Sequence, residues 1–117
     1  MIAVIFELVP KEGRADRYFE IAAELKPLLE GIDGFLSVER FESLSTKGRF
    51  LSLSFWRDEE AVRAWRTHGL HRRGQAEGRG EVFADYRLRV ATVVRDYGMA
   101  DRAQVPADSA RRFDSLA

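Results

Sequence analysis

Hydrophobic residues recur along the chain with two different periods, and these periods predict its strands and helices. A β-branched and aromatic run over 1–9 predicts a first strand that stops at Pro10, since proline has no N–H to donate to a sheet. Apolar residues then recur every three or four positions over 14–31, which predicts an amphipathic helix closed by Gly31.

A pair of strands is predicted next, over 35–43 and 49–56, with a hairpin loop at 45–48. One face of the strand 49–56 is fully apolar and holds Leu51, Leu53 and Phe55. The other face mixes aromatic with small hydroxyl side chains and holds Phe50, Ser52, Ser54 and Trp56. Because small hydroxyl groups pack poorly, we expect the mixed face to line something other than a dense core.

The second half of the chain predicts a helix and a long strand. Asp58 is expected to cap a helix that bends or breaks at Gly69, and a further helical segment is predicted over 70–76. The last strand is predicted over 82–95. Its first face holds Val82, Ala84, Tyr86, Leu88, Val90, Thr92 and Val94, and its second face holds Phe83, Asp85, Arg87, Arg89, Ala91, Val93 and Arg95.

The element order β-α-β-β-α-β predicts an α+β fold of the ferredoxin-like type, a four-stranded antiparallel sheet with helices on one face. Because the last strand carries apolar residues on both faces, we expect a second sheet to cover the free face and predict a homodimer through sheet-to-sheet packing. The domain is predicted over 1–98. The remaining 99–117 form a C-terminal tail, either mobile or docked on the partner subunit through Phe113 and Leu116.

Composition narrows the classes of partner and location. The chain of 117 residues has 19 basic and 19 acidic side chains, and this zero net charge argues against a nucleic-acid partner. No apolar run approaches the ~20 residues that cross a bilayer, and the first ten residues lack the features of a signal peptide. With no cysteine, nothing requires an oxidising compartment, so we expect a cytoplasmic protein without a membrane partner.

Candidate chemistry concentrates in the segment 65–75, which contains both histidines, His68 and His71. On a continuous helix these two would share one side of a pocket with Trp65 and Gln75. Four arginines against one glutamate over 66–79 could hold a carboxylate or another anion; they are Arg66, Arg72, Arg73 and Arg79. Core packing for the tryptophan and surface positions for the others are the alternative interpretation.

Metal and nucleotide chemistry are not favoured. Two histidines three residues apart supply two ligands, and transition-metal sites usually need a third, for which Asp85, Glu7 and Glu39 are the candidates. We therefore predict no metal site. The chain also has no P-loop, no GxGxxG or GxSxG motif, and no thiol nucleophile.

The segment 55–65 (FWRDEEAVRAW) is followed by four polar residues in a characteristic arrangement: His68, His71, Arg72 and Gln75. Together with 35–41 and 93–97, this pattern resembles the antibiotic biosynthesis monooxygenase (ABM) family of dimeric α+β barrel proteins. The resemblance covers 1–98 and implies a homodimer in which each subunit has a pocket between its sheet and its helices.

Some members of the ABM family are cofactor-independent monooxygenases of phenols and quinols, and the resemblance implies that reaction class here. In that interpretation His71, or failing it His68, transfers the proton. The expected substrate-binding residues are Trp65, Phe6 and Trp56 as walls, with Gln75 and Arg72 orienting a substrate oxygen. The substrate is expected to be a small aromatic molecule, and no cofactor is expected.

Two alternatives stay open. Heme-degrading relatives use an asparagine on the first strand, a tryptophan and an axial histidine; Trp65 matches the tryptophan, whereas Phe6 and Gln75 occupy the other two positions. Heme binding would then need His71 or His68 as the iron ligand. The other alternative is a non-enzymatic dimer that binds a small ligand on the same fold.

Overall fold

Four strands and two α-helices form the frame of the protein, in a computed structural model that describes residues 1–68 and 78–110. In chain order the elements are β1 (Ile2–Pro10), α1 (Ala15–Glu30), β2 (Phe35–Glu42), β3 (Phe50–Trp56), α2 (Glu59–Arg66), a π-helical turn (Gly78–Val82), β4 (Phe83–Thr92) and a 3₁₀ turn (Ala107–Ser109). The sheet has the order β2-β3-β1-β4, and its neighbouring strands are antiparallel. The predicted ferredoxin-like α+β fold is confirmed.

Both helices begin and end near the predicted residues. The Asp58 carboxylate accepts a hydrogen bond from the Ala61 N–H at 3.0 Å, which confirms it as the cap of α2. This backbone hydrogen bond lowers the pKa of Asp58 below its usual range. α2 ends at Arg66, before the predicted break at Gly69, and the helical segment predicted over 70–76 lies outside the described residues.

The helices cover one face of the sheet and bury two apolar clusters. The first cluster contains Ile2, Leu29, Trp56, Ala61, Val62 and Trp65. The second contains Leu8, Tyr18, Ile21 and Val82. Since strand residues alternate between faces, Ile2 and Leu8 show that the even-numbered positions of β1 face the helices. The opposite face of the sheet carries no described helix.

The start of the last strand differs from the prediction. β4 begins at Phe83 rather than at residue 82, and Val82 is fully buried in the π-helical turn. The register between β1 and β4 shifts between Val9 and Pro10, so Phe83 pairs with Pro10. The prediction that Phe83 faces away from Tyr86 is therefore wrong: its ring lies 5.6 Å from that of Phe6 on the helix-covered face. The shift breaks the strict alternation that the prediction assumed.

The chain leaves the sheet soon after β4, which ends at Thr92 rather than at residue 95. Val93 still donates a hydrogen bond to the Met1 carbonyl at 3.0 Å. Beyond it, Arg102 lies 5.5 Å from the Tyr97 ring, and its guanidinium donates to the Gly98 carbonyl at 3.2 Å. The boundary at residue 98 stays a prediction. Within the described parts of the chain, no helix combines the length and apolarity needed to cross a membrane.

Candidate functional site

A cavity of about 410 Å³ lies between the sheet and the helices. All four strands and both α-helices contribute to its wall, which is predominantly apolar. This volume is in the range of sites that bind small molecules. Along β4 the lining side chains of Tyr86, Leu88 and Val90 keep 43%, 48% and 47% of their surface exposed, so the cavity is accessible from that side.

Two serines of β3 have side chains small enough to leave room for the cavity. Ser52 pairs with Phe6 of β1 and with Arg40 of β2, and Ser54 pairs with Val4 and Val38 on the same strands. All six side chains line the cavity. A larger side chain at either serine would project into this volume. Of the predicted mixed face of this strand, Ser52, Ser54 and Trp56 line the cavity, whereas Phe50 packs against the second apolar cluster.

Three aromatic residues predicted to bind substrate do lie at the cavity: Phe6, Trp56 and Trp65. The Trp56 side chain is 1% exposed, and its indole Nε1 donates a hydrogen bond to Ser54 Oγ at 2.9 Å. Trp65 projects from α2 and is also buried. The two tryptophans therefore belong both to the core and to the cavity wall. The binding role of all three aromatic residues stays a prediction.

Two polar residues at the cavity were not predicted from the sequence, Tyr18 of α1 and Arg40 of β2. The Tyr18 side chain is 5% exposed, and among the described residues neither its hydroxyl nor the Arg40 Nε has a hydrogen-bond partner. Burial raises the pKa of the Tyr18 hydroxyl, and the positive charge of Arg40 acts in the opposite direction. Tyr18 is thus a neutral hydroxyl near neutral pH.

A signal for Arg40 was present in the sequence. It stands two residues after Val38, at the position where the alternation of the strand calls for another inward side chain. An arginine at an inward position is uncommon unless its charge has a partner. Tyr18 gave no such signal, because a tyrosine in the apolar stripe of a helix is typical of ordinary core packing.

The predicted histidine and arginine cluster is described only in part. His68 follows the end of α2, and its ring centroid lies 6.0 Å from that of Trp65. It is half-buried and is not one of the described residues that line the cavity, whereas Arg66 is. The other predicted site residues, His71, Arg72 and Gln75, lie outside the described residues.

The described residues offer few ligands for a metal ion or for heme iron. Within 1–68 and 78–110, no three histidine or acidic side chains come close enough together to hold a metal ion. Glu7, a ligand candidate from the sequence, instead contacts the guanidinium groups of Arg49 and Arg89. The described cavity wall contains no histidine, the axial ligand expected for the heme alternative. Histidine ligation of heme would therefore depend on His68 or His71.

Similarity to known proteins decides the family. A model of the antibiotic biosynthesis monooxygenase family matches residues 1–77, more than half of the chain. The chain belongs to the antibiotic biosynthesis monooxygenase family. Among curated members, a protein of Pyricularia oryzae named jasmonate monooxygenase ABM is 43% identical over 116 residues, 99% of this chain. This chain spans 54% of the length of that relative.

A second relative and a solved structure are also similar to this chain. The uncharacterized protein YqjZ of Bacillus subtilis is 34% identical over 93 residues, 80% of this chain and 79% of its own length. The crystallised protein Rv0793 of Mycobacterium tuberculosis superposes with a TM-score of 0.73 at 16% identity, over 81% of this chain and 96% of that one. At that identity the structural likeness shows the fold alone.

Proposed function

We propose that this ABM-family protein is a cofactor-independent monooxygenase that oxidises a small phenol- or quinol-like molecule in the cavity. The observation that carries the proposal is the cavity of about 410 Å³, walled by Phe6, Trp56 and Trp65, in a chain of this family. Flat aromatic walls suit a flat aromatic substrate, because offset and edge-to-face ring contacts are favourable.

The proposed reaction needs dioxygen as its only co-substrate. A phenol loses its hydroxyl proton, and the resulting phenolate donates electrons from a ring carbon to dioxygen, forming a carbon–oxygen bond and a peroxide anion. The peroxide takes up a proton, the ring carbon loses its hydrogen as a proton, and the O–O bond breaks with loss of water. One oxygen atom becomes the second carbonyl of a quinone and the other leaves as water. The protein orients the substrate, excludes bulk water and handles the protons.

The proton acceptor is proposed to be His71, with His68 as the alternative. The segment that contains His71 is flanked in the chain by Arg66 and Phe83, and both of these residues line the cavity. No carboxylate or imidazole is present in the described wall, so the base is proposed to come from this segment. Gln75 and Arg72 of the same segment are proposed to orient the substrate oxygen.

We also propose that the functional unit is a homodimer formed through the free face of the sheet. The side chains of Ile5, Leu53 and Phe55 point to this face, since they alternate with residues that face the helices. Next to them, Glu7 is ion-paired with Arg89 at 2.9 Å on the neighbouring strand. The same face of a second copy would cover these apolar side chains, as in other proteins whose sheets pack face to face.

Oxygen uptake by the purified protein tests the proposal. The panel should contain phenols, quinols and jasmonate, the last because of the name of the P. oryzae relative. We expect stoichiometric oxygen consumption with at least one compound, without added metal or heme, and a rate reduced about 100-fold or more in His71→Ala. A matched His68→Ala variant distinguishes the two histidines.

Two outcomes would contradict parts of the proposal. If both histidine variants turned over an identified substrate at the wild-type rate, the proton-transfer role would be wrong. A saturable Soret shift on hemin titration that disappeared in a histidine variant would contradict cofactor independence and favour the heme alternative.

A further inference from the structure

Two of the polar side chains that line the cavity belong to neighbouring strands. Arg40 pairs with Ser52 across the strands, and both side chains line the cavity. Tyr18 enters the same cavity from α1. We call this arginine, tyrosine and serine the polar end of the cavity; Ser54 and Arg66 also line the wall, which is otherwise mainly apolar.

Within the described residues, polar atoms at this end of the cavity lack hydrogen-bond partners. Arg40 is half-buried and carries a permanent positive charge, yet no ion pair joins it to a carboxylate within the described residues. The Tyr18 side chain is 5% exposed and lies next to Arg40, but its hydroxyl has no hydrogen bond of normal geometry there. Unsatisfied buried polar groups cost free energy, so such groups on residues that line a cavity are typical of a site that a ligand or water completes.

We infer that Arg40 and Tyr18 recognise an anionic oxygen, and that the cavity selects small molecules in which a carboxylate or a phenolate is attached to an apolar skeleton. The guanidinium provides the charge and a fork of N–H donors, and the tyrosine provides one O–H donor. The apolar part of the ligand lies against Trp56 and Trp65. In this arrangement the anion satisfies the two unpartnered groups at once.

This inference concerns the same cavity as the proposed oxygenation and, where it bears on catalysis, rests on that function. A phenolate held by Arg40 would be favoured over the neutral phenol, and the phenolate is the form that donates electrons to dioxygen. Arg40 would thereby increase the reactive fraction of the substrate, and Tyr18 would hold its oxygen in place. Binding of the anion itself requires no turnover.

Isothermal titration calorimetry with three naphthalene probes tests the inference. The probes are 2-naphthoate, its neutral analogue 2-naphthamide, and 2-naphthol, whose absorbance reports its ionisation. They are titrated into the wild type and into Arg40→Gln and Tyr18→Phe. Arg63→Gln serves as the matched control, because it removes one positive charge from α2 at a residue outside the cavity wall.

We expect 2-naphthoate to bind the wild type and to bind Arg40→Gln about tenfold or more weakly, as charge-assisted hydrogen bonds predict. Tyr18→Phe retains the ring in the core and should lose about threefold to tenfold. The amide should change by less than about twofold in both variants, and Arg63→Gln should match the wild type. If ionised 2-naphthol binds and 2-naphthoate does not, the recognised anion is a phenolate; the reverse result assigns a carboxylate.

The inference fails if 2-naphthoate and the amide lose affinity equally, or if both anions bind Arg40→Gln and Tyr18→Phe as they bind the wild type. It also fails if the wild type binds neither anion. These results do not depend on oxygen chemistry. Anion binding without oxygen uptake by any substrate would overturn the proposed function and leave this inference standing, and oxygen uptake without anion selectivity would do the opposite.

Discussion

The hydrogen bond between the Trp56 indole and Ser54 stabilises the cavity wall, and removing it by substitution tests this directly. Trp56 is 1% exposed and Ser54 is 8% exposed, so water does not readily replace either group. The Nε1–Oγ distance of 2.9 Å is that of a good hydrogen bond. Replacing Ser54 by alanine removes the acceptor and leaves a buried N–H donor without a partner.

The expected magnitude follows from this burial. Leaving a buried donor unsatisfied costs about 1–3 kcal/mol of the free energy of unfolding. At roughly 4 °C per kcal/mol for a domain of this size, Ser54→Ala should lower Tm by about 4–12 °C. The ring of Trp56 also loses the contact that fixes its orientation at the cavity, so ligand affinity should fall in the same variant.

Urea unfolding and calorimetry measure this effect against Ser52→Ala. Ser52 lies on the same strand and the same face, lines the same cavity, and makes no side-chain hydrogen bond within the described part of the chain. We expect Ser52→Ala to change stability by less than about 0.5 kcal/mol. Equal stabilities of the two variants would refute the reasoning, and Ser54→Thr, which keeps the hydroxyl, should restore most of the loss.

Three further predictions concern the frame around the cavity. Gly34→Ala should lower the free energy of unfolding in urea by about 2–5 kcal/mol, because φ is +91° and a Cβ would lie 2.7 Å from that of Ala61. Gly48→Ala, whose Cβ would meet open space, should cost only about 1–2 kcal/mol. The hydrogen bond from Arg49 holds the pKa of Glu7 below its usual value of 4.5, so the ionised Glu7 side chain stabilises the fold above that pH and loses this effect as the pH falls through the lowered pKa. The stability difference between wild type and Glu7→Gln should therefore shrink on acidification, and a difference that grows would refute the prediction. Leu53→Arg on the free sheet face should convert a dimer into a monomer in analytical ultracentrifugation, and an unchanged sedimentation coefficient would contradict the proposed interface.

The frame of the protein could be predicted from its sequence because local patterns carry it. The alternation in β3 predicted a mixed face, and the structure uses that face for the cavity. Asp58 was predicted to cap α2 from its position before two glutamates, and it does so. These features depend on neighbours in the chain, which a sequence displays directly.

Features that depend on pairing between distant segments could not be predicted. The register shift between Val9 and Pro10 turns Phe83 toward the helices, and no pattern within β4 reveals it. The meeting of Tyr18 with Arg40 depends on how α1 crosses the sheet, which is set by packing rather than by periodicity. The chain has only two histidines, so they stand out in the sequence, whereas arginine is common in this chain and Tyr18 lies in an ordinary apolar stripe.

Incorporation of labelled oxygen tests the central claim most directly. A substrate found by oxygen uptake is incubated under ¹⁸O₂ with the wild type and with Ser52→Leu, whose larger side chain would fill part of the cavity. We expect one labelled atom in the wild-type product, one in water, and little product from Ser52→Leu when it is as stable as the wild type. Product without the label, or equal rates from a folded Ser52→Leu, would contradict oxygenation in this cavity.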